Sequence, residues 1–186
     1  MVTVSGVILV VAATPEELTG VPEGTASAVC GVGPVEAAAR TAVAIAATAP
    51  TGVLNVGIAG ARAFDAPSLV IGSEAVYCDA DDPDWFELRT AADAGLLAAA
   101  RLALPDAAVQ AIGTSARVGG TSGCEVEAME GYAVLRAAAL AGVAALEVRA
   151  VANAIGEPDR AKWRFADAKA ELARMLPRLV EELARA

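Results

Sequence analysis

Histidine is absent from this 186-residue chain, which removes the commonest general acid-base at neutral pH and the commonest metal ligand. Any catalysis must rest on carboxylates, amides, hydroxyls or backbone groups, and neither a metal nor another cofactor is expected. Cysteine is scarce: Cys30, Cys78 and Cys124 are odd in number, widely spaced and free of any CxxC pattern, so neither a disulfide framework nor a zinc site is suggested. Positive charge is short as well, with 14 Lys and Arg against 23 Asp and Glu and a net charge of −9. Nucleic-acid binding draws its affinity from a concentrated basic face, and no run of Lys and Arg supplies one, so no nucleic-acid partner is expected. No apolar run reaches the ~18–20 residues of a membrane span, because Arg136, Glu147 and Arg149 interrupt the longest candidate. The N-terminal MVTVSGVILVVAATPEEL lacks a basic n-region. The expectation is a soluble, cytoplasmic protein with no signal peptide and no membrane partner.

What is present is apolar and small: 56% of residues are hydrophobic, only 4% are aromatic, and the mean hydropathy is +0.52. The length suits one domain over residues 1–186 with a proper core. Residues 4–13, VSGVILVVAA, read as a strand, and TPEEL follows with Thr14 as N-cap and Pro15 at the first helical position. TASAVCGVG reads as a second strand ending in glycines, PVEAAARTAVAIAATA as a helix, and TGVLNVGIAGA as a third strand with a glycine end. PSLVIGSEAVYCDA is a further strand, broken off by the acidic turn DADDPDWFE. AADAGLLAAARLAL predicts a helix, AAVQAIGTSARV and CEVEAM predict strands around GGTSG, and a helix is expected over residues 129–142. The strand AALEVRAVANAI, the polar loop GEPDRAKWR and an amphipathic helix from Phe165 complete the chain, with a kink or break expected at Pro177. Strands alternating with helices predict an α/β sheet covered on both faces.

In open α/β sheets ligands gather outside the carboxyl ends of the strands. Glu16 and Glu17, GVG, GIAGA, Glu130 and Asn153 all fall at such ends. Each also has an ordinary reading. GVGPVE departs from a dinucleotide fingerprint, since Glu36 stands at the third glycine position. GIAGA suits close packing, Glu16 and Glu17 suit a helix first turn, and Asn153 suits a strand end. Acids in a helix first turn gain ~0.3–1 kcal/mol from its positive end, which accounts well for Glu127 and less well for Glu130. The apolar run after Glu130 leaves it little polar face, and a buried carboxylate is costly unless paired. Its partner must come from elsewhere in the chain or from a ligand.

Taken together and in this order, NVGIAGA, GVGPVEAAA, VEAMEGYAV and VRAVAN resemble the strand-end motifs of the purine nucleoside phosphorylase and nucleosidase superfamily, from residue 5 to residue 175. Within it, EAMEG followed by VRAVANAIGEPDRAKW looks most like the futalosine hydrolases, the nucleosidases of the futalosine route to menaquinone. The resemblance implies a three-layer α/β/α sandwich with a mixed, mostly parallel central sheet, a purine nucleoside as small-molecule partner, and a homodimer or higher homo-oligomer. It implies that Glu130 accepts hydrogen bonds from the ribose 2′- and 3′-hydroxyls while Met129 packs on the sugar. Glu17 aligns with the acid that activates water, with Glu16 as the neighbouring alternative. Asn153 stands where adenine-specific nucleosidases carry an aspartate, and an amide can accept from N7–H of leaving hypoxanthine while donating to O6. Ile58, Ala59, Gly60, Arg117, Val118 and Trp163 are implied at the substrate. Arg160, Lys162 and Trp163 are candidates for the benzoate end of futalosine, or they form a solvated loop. Related phosphorylases grip phosphate with an arginine and a serine at positions that here hold Asn55 and Ile58, so water is the implied nucleophile, Arg62 and Arg117 being the remaining cations. TSARVGGTSGCEVEAME lacks a helix that relatives carry near the base pocket. The alternatives are a nucleosidase for methylthioadenosine, S-adenosylhomocysteine or aminofutalosine, a catalytically silent nucleoside-binding protein, or a phosphorylase.

Overall fold

The computed structural model describes residues 6–85, 87–121 and 123–186, and its β-branched apolar runs form the middle of one sheet. β1 (Ile8–Ala12) is buried at every residue, as a strand covered on both faces must be. Residues 4 and 5, which the sequence places in the same strand, lie outside the described residues. β1 pairs in parallel with β2 (Ala26–Val29) and with β3 (Gly52–Ala61). β3 pairs in parallel with β8 (Ala144–Ala154) along its whole length. β8 then meets β4 (Leu69–Tyr77) antiparallel, β4 runs parallel to β6 (Ala108–Thr114), and β6 runs parallel to β7 (Val126–Ala128). β7 returns antiparallel to the end of β3 at Gly60 and Ala61. The pairing therefore closes a ring through β3, β8, β4, β6 and β7, with β1 and β2 extending the sheet from β3. The sheet is mixed and mostly parallel, as the resemblance implied.

Alternate residues of a strand face opposite ways, and the two faces carry separate cores. Ile8, Val10, Leu54, Leu146 and Val148 pack against α2 (Ala94–Ala103) and α4 (Phe165–Leu183). Leu9, Val11 and Val53 pack against α1 (Pro34–Thr48) and α3 (Gly131–Leu140). α1 begins at Pro34, directly after Gly33, whose φ of +90° is a conformation glycine alone adopts without strain. No helix of the described residues is long and apolar enough to cross a membrane.

Four details depart from the sequence reading. The helix expected from Ala91 starts at Ala94, because Asp93 caps it through Gly95 N and Leu96 N at 2.9 and 3.0 Å. Ala91 instead ends β5 (Arg89–Ala91), a short edge strand on β4 with no apolar alternation to reveal it. α3 starts at Gly131, so Glu127 lies in β7 and Glu130 is the residue before the helix. α4 runs unbroken through Pro177: that residue is on the exposed side, and the buried stripe Leu172, Met175, Leu176, Leu179, Val180 and Leu183 holds the helix against the sheet.

Candidate active site

The carboxyl ends of β1, β3, β7 and β8 surround one pocket. Glu17 reaches it from the 3₁₀ turn after β1, Ile58, Ala59 and Gly60 from β3, Met129 and Glu130 from the segment between β7 and α3, and Asn153 from β8. Arg117 and Val118 come from the β6–β7 connection and Trp163 from the loop before α4. Every residue that the resemblance implied at the substrate thus borders the same space. Four other candidates do not. Glu16 is exposed, Arg62 Nε is spent on the Cys124 carbonyl at 3.1 Å, Arg160 lies over the Trp163 ring at 5.5 Å, and Lys162 pairs with Glu157 at 3.2 Å. Asn55 is fully buried in β3 beside Glu147 and stays out of the pocket.

The choice between adjacent acids is made by the turn itself. Thr14 and Pro15 start a single 3₁₀ turn, which directs Glu17 inward, 5% exposed, and leaves Glu16 in solvent. Glu17 Oε2 accepts from Thr14 N at 2.9 Å and from Thr14 Oγ1 at 3.0 Å, and Oε1 accepts from Ile58 N at 3.0 Å. A carboxylate offers about four lone-pair sites, so one on Oε1 is left facing the pocket.

Beneath this lies an ion cluster that the sequence reading missed. Arg149 and Glu147 are two residues apart on β8, hence on the same face, and are 1% and 0% exposed. Arg149 Nε donates to Glu147 Oε1 at 2.7 Å, while Nη1 donates to Glu130 Oε2 at 3.3 Å and to the Ile58 carbonyl at 3.4 Å. Glu130 Oε1 accepts from Gly33 N at 3.1 Å. Glu130 was expected to find its partner in the substrate. The chain itself supplies one, because a carboxylate 4% exposed needs a counter-charge before any ligand arrives. Two glycines make the cluster possible. A Cβ on Gly57 would stand 2.3 Å from Arg149 Nη1 and 2.9 Å from Glu17 Oε1, and a Cβ on Gly131 would stand 2.1 Å from Glu147 Oε2. The available signal was the pair of charges inside an otherwise apolar strand, which must be buried together.

The electrostatics follow from crowding three carboxylates round one guanidinium. Burial works against the Arg149 charge, but Glu147, Glu130 and Glu17 outweigh it and hold its pKa above the ordinary value. Burial pushes the Glu147 carboxyl up, opposed by Arg149. Burial, with Glu130 adding to it, pushes the Cys30 thiol up to about 12.

At the other end of the pocket Asn153 Nδ2 donates to the neighbouring Ala154 carbonyl at 3.0 Å, leaving its Oδ1 without a protein donor among the described residues. The β3–β8 register shifts between Ala59 and Gly60, a bulge of the kind that re-aims side chains beside active sites. Glu127 lies in the strand that CEVEAM predicts and not in a helix first turn, and its buried carboxylate takes Gly119 N and Thr121 Oγ1. The β6–β7 connection borders the pocket through Arg117 and Val118.

No protein-family model matches the chain. It is 37% identical to the futalosine hydrolase of Streptomyces coelicolor over 192 aligned residues, covering 87% of this chain and 81% of that protein. A shorter segment of 60 residues is 43% identical to the futalosine hydrolase of Thermus thermophilus, covering 32% of this chain and 27% of that one. Among solved structures, a 5′-methylthioadenosine/S-adenosylhomocysteine nucleosidase from Colwellia psychrerythraea in complex with adenine superposes with a TM-score of 0.85 at 18% identity, covering 96% of each chain. The native futalosine hydrolase of Helicobacter pylori superposes with a TM-score of 0.82 at 17% identity, covering 94% of this chain and 97% of that one.

Proposed function

The chain belongs to the futalosine hydrolase family and is an N-glycosyl hydrolase, and we propose that it cleaves the N-ribosidic bond of futalosine, releasing hypoxanthine and dehypoxanthine futalosine for menaquinone biosynthesis. The observation that carries this reading is the state of Glu130. Of its four lone-pair sites, Gly33 N takes one on Oε1 and Arg149 one on Oε2, which leaves one acceptor on each oxygen. Two vicinal hydroxyl donors, the 2′ and 3′ of a ribose, match that pattern, and Met129 beside it supplies an apolar contact for the sugar. The carboxylate then faces the ring in which oxocarbenium charge develops.

Glu17 is the proposed base for the attacking water, through the open site on Oε1. Phosphate is disfavoured as nucleophile on two grounds. Glu17 already occupies the Ile58 amide, and the cluster of Glu17, Glu130 and Glu147 against Arg149 leaves the pocket floor net negative. Asn153 is the proposed reader of the leaving base, accepting from N7–H and donating to O6 of hypoxanthine once its own-strand contact is released. Of the residues expected at the benzoate end, Trp163 alone borders the pocket.

The test is an incubation with futalosine, inosine, methylthioadenosine and aminofutalosine, with and without phosphate, followed by chromatography of the free base. Hypoxanthine should appear from futalosine at a rate that phosphate does not change. Phosphate-dependent release would make the protein a phosphorylase, and base from the adenine nucleosides alone would move the substrate. Glu17→Gln should abolish turnover and Glu16→Gln should not.

The same reading takes the chain as one domain over residues 1–186, a three-layer α/β/α sandwich working in the cytoplasm as a homo-oligomer. The support for self-association is the exposure of Val35, Val43 and Leu140 on α1 and α3, of which Val35 and Leu140 line one apolar groove.

A further inference from the structure

We propose that Glu127 is a positioning residue that fixes the wall of the pocket against the purine, and so sets affinity for the base without entering the chemistry. The proposal rests on the reading of the pocket as a nucleoside site. Glu127 sits in β7 between Gly60 of β3 and Gly113 of β6, its register partners on either side. Both neighbours lack a side chain for a local reason. A Cβ on Gly60 would stand 3.2 Å from Glu127 Cγ and 3.0 Å from Asn153 Nδ2, and one on Gly113 would stand 2.7 Å from Thr121 Cβ. The two glycines thus make room for Glu127 and for the residue it holds. Gly119 N donates to Oε1 and Oε2 of Glu127 at 3.0 and 2.9 Å, and Thr121 Oγ1 donates to Oε2 at 3.0 Å. Thr121 is fully buried and Glu127 is 6% exposed, so water competes little for these bonds, and bonds to an ionised acceptor are the strong ones.

The carboxylate closes one end of a strap. At the other end Asp79 accepts from Ser115 Oγ at 2.6 Å and from Ala116 N at 2.7 Å. Arg117 and Val118 lie between the two clamps, exposed and bordering the pocket. Arg117 N donates to Ser115 Oγ at 3.0 Å and its carbonyl accepts from Gly120 N at 3.1 Å, bonds that stay within the strap, so the strap is placed on the sheet by the clamps on either side. Gly60 ties the second clamp to the base end, because Glu127 and Asn153 crowd the same glycine. An error in the position of the wall is therefore an error in the fit around whatever Asn153 reads.

A graded series tests this. Glu127→Gln keeps the volume but turns an NH₂ toward the Gly119 amide or the Thr121 hydroxyl, both donors. Thr121→Val removes one bond and keeps the shape, and Thr121→Ser keeps the hydroxyl. KM for futalosine and the Kd for free hypoxanthine, read from Trp163 fluorescence, should both rise about tenfold in Glu127→Gln. Thr121→Val should fall between it and wild type, and Thr121→Ser should match wild type, with kcat within about twofold throughout. A residue that only braced the fold would lower Tm and the active fraction and leave KM unchanged. That outcome overturns the proposal, as does a loss in kcat at constant KM. If Glu127→Gln does not fold, the two Thr121 variants decide the matter by the same split. Wild type that binds hypoxanthine but cleaves no futalosine would sink the assigned reaction and leave the Kd series to judge Glu127, whereas wild type that binds no purine would overturn both.

Discussion

Replacing Arg149 by methionine should be among the most damaging single changes in this protein, and its damage should depend on pH in a particular direction. Methionine keeps most of the apolar stem and removes the one cation among Glu17, Glu130 and Glu147. Breaking a buried ion pair by deleting one partner costs ~3–5 kcal/mol, a large share of the ~5–15 kcal/mol that holds a typical domain folded. For a chain of this size that corresponds to a fall in Tm of about 6–20 °C. Burial already raises the Glu147 carboxyl and Arg149 opposes the rise, so without Arg149 it climbs further. The native state then keeps a proton that the unfolded chain has released. A group raised in this way stabilises the fold below its unfolded pKa and ceases to do so as pH passes the folded value. Urea unfolding followed by circular dichroism should therefore show the full deficit at pH 8 and a smaller one at pH 5. Arg149→Met combined with Glu147→Met should recover only the share of the loss that Glu147 carries, since an apolar pair of similar volume is often no worse than a buried ion pair, while Glu130 stays buried without its cation. A single variant within about 1 kcal/mol of wild type at pH 8, or a deficit equal at both pH values, would refute the account of the cluster given above.

Glu130→Gln should fold with a lowered Tm, because its NH₂ must face either Gly33 N or Arg149 Nη1, and should lose ~10²–10³ in kcat, measured as hypoxanthine release by the folded protein, because an acceptor becomes a donor and the charge proposed to face the sugar is lost. Asn153→Asp should shift the ratio of futalosine to aminofutalosine cleavage by up to ~10⁴, mainly in kcat. A ratio that stays constant would remove Asn153 from recognition of the leaving base. The Cys30 thiol, raised from 9.0 to about 12, keeps its proton in the native state while the unfolded chain gives its own up. Stability should accordingly fall as pH rises from 9 toward 12, and denaturant titrations across that window should show a shallower fall for Cys30→Ala than for wild type.

The parts of this molecule that could be read from sequence are those fixed by local chemistry. Thr14–Pro15 announces the turn that aims Glu17, the β-branched runs announce β1, β3 and β8, and glycine ends mark where the strands open. The missed parts depend on partners distant in sequence. Glu147 and Arg149 were visible as charges in a core strand, but nothing local says that Gly131 leaves room for one and Gly57 for the other. Glu127 and Glu130 turned on where α3 begins. CEVEAM announces the strand that holds Glu127, but with β7 only three residues long a first-turn reading of the same acids stays open, and the start of α3 at Gly131 instead of residue 129 takes Glu130 out of the helix. β5 escaped for a similar reason, being three residues at an edge where one side needs no apolar pattern.

The closed ring of strands divides this enzyme into a part that resists change and a part that invites it. At Arg149, β8 is bonded to β3 on one side and to β4 on the other, so Arg149 cannot shift without moving three strands at once. The groups proposed to hold sugar and water are thereby anchored to a strand paired on both sides. Arg117 and Val118 instead hang on a connection whose length no pairing constrains. New base preferences should accordingly arise at Arg117 and Val118, between the clamped residues on either side. Directed evolution toward other nucleosides would accumulate its productive changes there and leave β8 almost untouched.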